Sequence, residues 1–113
     1  MKTKYIIAFA ACLVLFTACH KPGTVQVKND ISGVKIRDVR WGDIYLAGEL
    51  LPGQSSDKYT VDWFTDDLPA TYKVSFVMTA NNQQVYLETT EEFTLDEDDE
   101  LLIVLDDKTK VKN

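Results

Sequence analysis

Residues 72–89 read YKVSFVMTANNQQVYLET, and this stretch decides the fold class. Every second residue over Tyr72–Met78 is large and apolar, which is the period of a strand that buries one face. Asn81-Asn82 suits a tight hairpin, because asparagine tolerates the left-handed backbone region. Val85 and the alternate residues after it then form the returning strand. The stretch therefore predicts two antiparallel strands.

The two-residue period extends toward the N-terminus, and no apolar period of 3.6 covers a helical length. Near Asp38 the period slips by one residue, so that Val39 and Trp41 continue the apolar face out of step. A β-bulge explains the slip, because it inserts one extra residue into one strand. Gly42-Asp43 predicts a turn, and Leu51–Gln54 predicts a type II turn with proline second and glycine third.

The remaining segments complete an all-β pattern. Lys58–Thr65 is predicted as a strand, and Leu101–Leu105 is apolar on both faces, which favours a central or covered strand. The charged tail, residues 107–113, is expected to fray. About seven short strands, spaced roughly eight to twelve residues apart, predict an antiparallel β-sandwich over residues 24–106, immunoglobulin-like or transthyretin-like in architecture.

The N-terminal segment has the layout of an export signal. Lys2 and Lys4 form a basic start, Tyr5–Phe16 is apolar, and small residues precede a cysteine. Phe16-Thr17-Ala18-Cys19 resembles the lipobox of bacterial lipoproteins, although phenylalanine replaces the usual leucine. A plain cleaved signal is an alternative. A membrane span is another, but the apolar run is shorter than the roughly 20 residues that a span needs.

The lipobox resemblance implies processing and a location. Residues 1–18 would be the signal peptide, and Cys19 would carry a diacylglycerol and an amide-linked acyl chain such as palmitate. Two or more acyl chains hold a protein stably on a membrane. Residues 19–23 would form a lipidated tether. The chain would then be anchored in a bacterial cell envelope, and the absence of aspartate directly after Cys19 favours the outer membrane.

The charge of the chain excludes some partners. The full sequence has a net charge of −6, and removal of Lys2 and Lys4 with the signal would change it to −8. Nucleic acids and anionic lipid headgroups are therefore not expected as partners, because both bind lysine and arginine. Cys12 would leave with the signal, so no disulfide is expected in the domain.

The residue inventory predicts a non-catalytic protein without a cofactor or metal. The single histidine, His20, lies in the tether, so the domain lacks the residues of Ser-His-Asp or Cys-His catalysis and of common zinc sites. The acidic run Asp96–Glu100 could supply calcium ligands, but Leu101 stands where a calcium loop of the EF-hand type needs glycine. We therefore predict a solvated turn.

Adjacent Trp63 and Phe64 are a possible ligand platform. Neighbouring residues of a strand point to opposite faces, so one of the two rings is expected to be exposed or to lie under a loop. An exposed ring beside acidic side chains suits stacking on a sugar. Core packing of both rings is the alternative, because sandwiches bury many aromatic side chains.

The chain resembles small lipoproteins of Gram-negative envelopes. The resemblance lies in the signal region, the turn at Leu51–Ser56 and the strand-rich remainder. That resemblance implies no functional residue other than Cys19. We expect a lipid-anchored, non-catalytic protein that presents a protein-binding or structural surface. A carbohydrate-binding accessory module is the alternative. An exposed patch containing Trp63 or Phe64 would favour sugar, whereas an unprotected apolar edge strand would favour a protein partner.

Overall fold

The computed structural model describes residues 21–62 and 67–113, which form eight strands and no helix. Three strands form one sheet in the order β4-β1-β7, and five form the other in the order β3-β2-β5-β6-β8. The apolar faces of both sheets share one buried core, so the predicted all-β sandwich is confirmed. The strands are β1 Gly23–Asp30, β2 Ile36–Trp41, β3 Ile44–Leu50, β4 Tyr59–Val61, β5 Ala70–Ala80, β6 Gln83–Leu95, β7 Glu100–Asp106 and β8 Val111–Lys112.

The hairpin of β5 and β6 forms as its sequence predicts. Ala80 lies opposite Gln83, and the asparagines between them have φ angles of 53° and 61°, as a type I′ turn requires. Val74 and Phe76 are fully buried, whereas Tyr72 and Met78 pack at the margin of the core. The predicted buried face of β5 is therefore correct at its centre and half-exposed at its ends.

β2 contains the predicted bulge. Asp38 has a φ of 50°, and the pairing of β2 with both neighbours shifts register beside it. The shift returns Val39 and Trp41 to the buried face. The Trp41 ring then meets Tyr72 edge-on at 5.0 Å, and its Nε1 donates to the carbonyl oxygen of Phe93 at 3.1 Å. The extra residue at Asp38 therefore directs the Trp41 side chain, the largest in the core, toward the buried face.

The three-stranded sheet departs from the prediction in two ways. β1 pairs with β7 in parallel, so the sandwich is not antiparallel throughout. β7 is also an edge strand of its sheet, so the expectation that Leu101–Leu105 is central or covered is wrong. Leu102 and Val104 are exposed on the outer face, while Ile103 and Leu105 are buried. An apolar edge strand and a central strand have the same sequence pattern, and only the order of the strands in the sheet distinguishes them.

The C-terminal segment is more ordered than its charge predicts. The expectation of a fraying tail is wrong for Val111–Lys112, which pair with β6 as β8. A turn directs the chain there, with the Asp106 amide donating to Thr109 Oγ1 and the Thr109 amide donating to the Asp106 carbonyl oxygen. β4 is shorter than the predicted strand over Lys58–Thr65, whose last three residues lie outside the described part of the chain.

Candidate interaction edge

The predicted lipidation site, Cys19, and the predicted ligand platform, Trp63 and Phe64, lie outside the described residues, so lipidation and the aromatic platform stay predictions. The acidic run Asp96–Glu100 is described, and it forms a tight exposed turn before β7. Asp98 has a positive φ of 56° at the tip of this turn. The turn part of that prediction is confirmed.

The acidic turn is attached to the start of the domain. The Asp98 amide donates to the carbonyl oxygen of Pro22 at 3.1 Å, and the Lys21 ammonium lies 3.8 Å from the Asp98 carboxylate. Both side chains of this ion pair are exposed, so it contributes little to stability. The contacts nevertheless place the beginning of β7 beside the segment that leads back to Cys19.

β7 has one hydrogen-bonded side and one side without a strand neighbour among residues 21–62 and 67–113. The Thr24 amide donates to the carbonyl oxygen of Asp99, which fixes the alternation along the strand. Residues 101, 103 and 105 direct their backbone groups toward β1. Leu102 and Val104 direct their N–H and C=O groups toward the free side.

Both ends of this free side are closed by local contacts. At the beginning of β7, Asp99 Oδ1 accepts from the Glu100 amide at 2.8 Å. At the end, Thr109 Oγ1 accepts from the Asp106 amide at 2.9 Å. The amides of Leu102 and Val104 lie between these two caps. The unpaired part of the edge is therefore short and centred on Ile103.

The side chains beside these groups are apolar. Leu102 is 53% exposed and Val104 is 39% exposed, and both face outward from the sandwich. Their direct neighbours on β1 are the polar Gln26 and Lys28. Exposed single aliphatic residues are ordinary, but two on a free strand edge form a surface on which another strand can pair.

The other sheet edges in the described part of the chain carry features that protect them. β4 and β8 have only three and two residues. β3 has seven residues, but it contains Gly48 and its pairing with β2 is broken by the bulge. β7 also has seven residues and contains no lysine, proline, glycine or bulge. Natural proteins use those devices to prevent edge pairing, so β7 is the least protected of the four outermost strands. β6 also has a free side beyond Glu88 and Thr89, the two residues that pair with β8.

A surface contact at the far end of β7 fixes the turn that leads to β8. The Ser32 amide donates to Asp107 Oδ1 at 2.9 Å, and Ser32 Oγ donates to Asp107 Oδ2 at 2.7 Å. These two hydrogen bonds lower the pKa of the Asp107 carboxyl below its ordinary value of 3.8, because they stabilise the charged form. The contact joins the end of β7 to the turn between β1 and β2.

The described residues contain no group of three or more histidine, cysteine or acidic side chains positioned for a metal. Among them there is also no helix long and apolar enough to cross a membrane. Comparison with protein-family models, curated proteins and solved structures finds no match.

The sequence predicts the apolar strand β7 but not its place at the edge of the sheet. Leu102 and Val104 were expected to be covered, because a run that is apolar on both faces is typical of a central strand. The available signal was the charge on either side of the run, where acidic residues adjoin both ends. A central strand has a hydrogen-bonded neighbour on each side, whereas an edge strand has a neighbour on one side. The neighbour of β7 is β1, which lies about 75 residues earlier in the chain, so the local sequence does not reveal the pairing.

Proposed function

We propose that this chain is a lipid-anchored, non-catalytic protein of a bacterial cell envelope that binds a protein partner by strand pairing at β7. The observation that carries the proposal is the unprotected free side of β7 with its exposed Leu102 and Val104. Backbone groups at such an edge supply affinity in strand addition, and the outward side chains supply selectivity.

The proposed anchor rests on the sequence of the N-terminal segment. Cys19 follows a basic and apolar signal layout, and only three residues separate it from the domain at Gly23. A tether of that length would hold the acidic turn and the beginning of β7 near the outer leaflet surface. An acidic domain is repelled by anionic headgroups, which would keep β7 accessible to proteins beside the membrane.

A non-catalytic role is supported by the inventory of side chains. The sequence after Cys19 contains one histidine, His20, and no further cysteine. Nucleophilic catalysis of the common types needs one of these residues beside a base or an acid. Carboxylates are abundant in the domain, and the lowered pKa of the Asp107 carboxyl has a structural cause, its two hydrogen bonds from Ser32.

Carbohydrate binding is the second candidate, and one observation favours it. Tyr86 is 58% exposed on the outer face of the five-stranded sheet. It borders an open groove of about 440 Å³ that also contains Lys73, Glu88 and Glu92. An exposed ring beside charged side chains suits stacking on a sugar and hydrogen bonding to its hydroxyls. Binding to a glycan array that is lost in Tyr86→Ala and kept in Leu102→Lys would favour this candidate.

Site-specific photo-crosslinking in cells tests the proposed protein partner. A photoreactive amino acid at position 104 should give a crosslink to a protein that mass spectrometry identifies. The same amino acid at Leu51, which is 45% exposed and lies in a turn that bonds to the side of β1 away from β7, should not. Introducing Leu102→Lys beside the probe should reduce the crosslink, because lysine on an edge opposes strand pairing. Equal crosslinking at positions 51 and 104 would overturn the proposal.

A further inference from the structure

We infer that the partner strand at β7 is the β7 of a second copy of this chain, paired antiparallel with Ile103 at the twofold axis. The inference rests on the proposed function, because it names the protein that pairs with the free side of β7. It follows from the symmetry of the free side about Ile103 and from the charges in the segments that flank β7.

Backbone groups match in this arrangement. Leu102 and Val104 each direct one N–H and one C=O away from β1, and they lie one position on either side of Ile103. In an antiparallel pair, Leu102 of one copy faces Val104 of the second copy, and the two residues exchange both hydrogen bonds. By symmetry, Val104 of the first copy faces Leu102 of the second, and these two residues exchange two further hydrogen bonds. All four free amides of the two edges are then satisfied.

Side chains also match. Each Leu102 lies beside Val104 of the second copy on the outer face, and cross-strand apolar pairs of this kind stabilise a sheet. On the inner face, Leu101 lies opposite Leu105 of the second copy. The two three-stranded sheets would join into one sheet of six strands, with neither β7 left as an edge.

Charge decides the direction of pairing. The beginning of β7 follows the acidic turn Asp96–Asp99, whereas its end leads through Asp106 and Asp107 to the lysines at positions 108, 110 and 112. Parallel pairing would place two acidic turns side by side, which like-charge repulsion opposes. Antiparallel pairing places the acidic turn of each copy beside residues 106–110 of the other, where two aspartates and two lysines cancel. Charge therefore opposes antiparallel self-pairing less than parallel self-pairing.

Acidic pairs at the strand ends oppose the antiparallel arrangement. Glu100 would face Asp106 of the second copy, and Asp99 would face Asp107. Two contacts reduce the repulsion: the Lys58 ammonium lies 3.3 Å from Glu100 Oε1, and Asp106 Oδ1 accepts from the Lys108 amide at 2.9 Å. The remaining repulsion is at the rim, where solvent and salt screen it.

The pairing is expected to depend on the membrane. A seven-residue edge buries less than the roughly 800 Å² per partner of a stable interface in solution. Anchoring through Cys19 would confine both copies to one surface and raise their effective concentration without adding a contact. The full chain should therefore be tested in membranes.

Disulfide crosslinking between two tagged copies tests the register. Leu102→Cys in one copy and Val104→Cys in the other place the Cα atoms about 5.5 Å apart, as in any hydrogen-bonded antiparallel pair, which suits a disulfide. When both copies carry Leu102→Cys, the two cysteines are offset by two positions, about 7 Å along the strand, and lie too far apart to form a disulfide. After mild oxidation of membranes, the mixed pair should crosslink at least several-fold more than either single variant. The parent chain and the exposed variant Leu51→Cys should give only the background from the natural cysteines.

Each outcome decides the inference. A dominant mixed disulfide supports antiparallel self-pairing. Equal yields from the mixed pair, both single variants and Leu51→Cys indicate random collision and overturn it. No added crosslink in any pair also overturns it, provided that thermal melts show the variants to be folded. If position 104 then photo-crosslinks to a different protein, strand pairing at β7 stands and only the identity of the partner was wrong.

Discussion

The side-chain amide of Asn29 donates a 3.0 Å hydrogen bond to the carbonyl oxygen of Leu50, joining the end of β1 in one sheet to the end of β3 in the other. Asn29 is fully buried. Its Nδ2 also donates to the Val34 carbonyl oxygen at 2.8 Å, and its Oδ1 accepts from the Ile31 amide at 3.0 Å. One side chain thus holds the first turn against both sheets.

Asn29→Asp should destabilise the domain, because the new carboxylate cannot donate to the carbonyl oxygens of Val34 and Leu50. Each buried group left unsatisfied costs about 1–3 kcal/mol. Burial raises the pKa of a carboxyl, so the loss in unfolding free energy should be greatest near neutral pH and smaller in acid, where the protonated group can donate once. Urea melts at two pH values measure both effects. Asp30→Asn, an exposed neighbour of similar size, should change stability by less than about 0.5 kcal/mol.

Gly42→Ala should destabilise more than Gly33→Ala. Both glycines have positive φ angles, 61° and 67°, so either alanine incurs the cost of a left-handed residue, about 1–2 kcal/mol. A Cβ at Gly42 would also lie 2.5 Å from Cγ of Tyr72, whereas a Cβ at Gly33 would have no atom within 4 Å. The difference in melting temperature between the two variants measures the cost of the steric contact with Tyr72. Equal losses would show that the Tyr72 ring does not pack over Gly42.

Ser32→Ala should raise the pKa of Asp107 toward 3.8, because the side-chain hydrogen bond to the carboxylate is lost. A carboxyl with a lowered folded-state pKa contributes stability above its unfolded pKa and loses that contribution as pH falls through the folded value. The difference in stability between parent and Ser32→Ala should therefore be present at neutral pH and disappear in strong acid. An NMR titration of the Asp107 carboxyl measures the pKa. Ser55→Ala, at an exposed serine elsewhere, should leave it unchanged.

Cys19→Ser should release the protein from the membrane fraction and abolish labelling with a fatty acid, because the proposed thioether is formed on that sulfur. The chain carries its own control in Cys12→Ser, which alters only the proposed signal and should leave labelling intact. Metabolic labelling followed by membrane fractionation measures both variants. Labelling that survives Cys19→Ser would contradict the lipoprotein assignment.

Local features of the fold were predictable because short-range physics determines them. The hairpin at Asn81-Asn82 follows from alternation and from two residues that accept positive φ. The bulge at Asp38 follows from a one-residue slip in the apolar period, and the turn at Leu51–Gln54 follows from proline and glycine at fixed positions. The Gln54 amide donates to the Leu51 carbonyl oxygen at 3.0 Å, and Gly53 has a φ of 86°, as a type II turn requires.

Long-range relationships were not predictable from the same patterns. Which strand lies beside β7 depends on contacts between distant segments, so the apolar pattern of residues 101–105 does not determine the exposure of Leu102 and Val104. Asn29 occupies an alternating position of β1 where the pattern gives no sign of an inter-sheet hydrogen bond. Val111–Lys112 form a strand because the Asp106–Thr109 turn brings them beside β6, despite the charge of the segment.

Hydrogen exchange at β7 tests the central claim most directly. In dilute purified protein, the amides of Leu102 and Val104 should exchange rapidly, while the Ile103 amide, bonded to β1, exchanges slowly. In native membranes, pairing of the edge should slow Leu102 and Val104 and leave Ile103 unchanged. Rapid exchange at both residues in membranes would contradict the claim that another chain pairs with β7. Slow exchange in the dilute monomer would contradict it too, because the edge would already be covered.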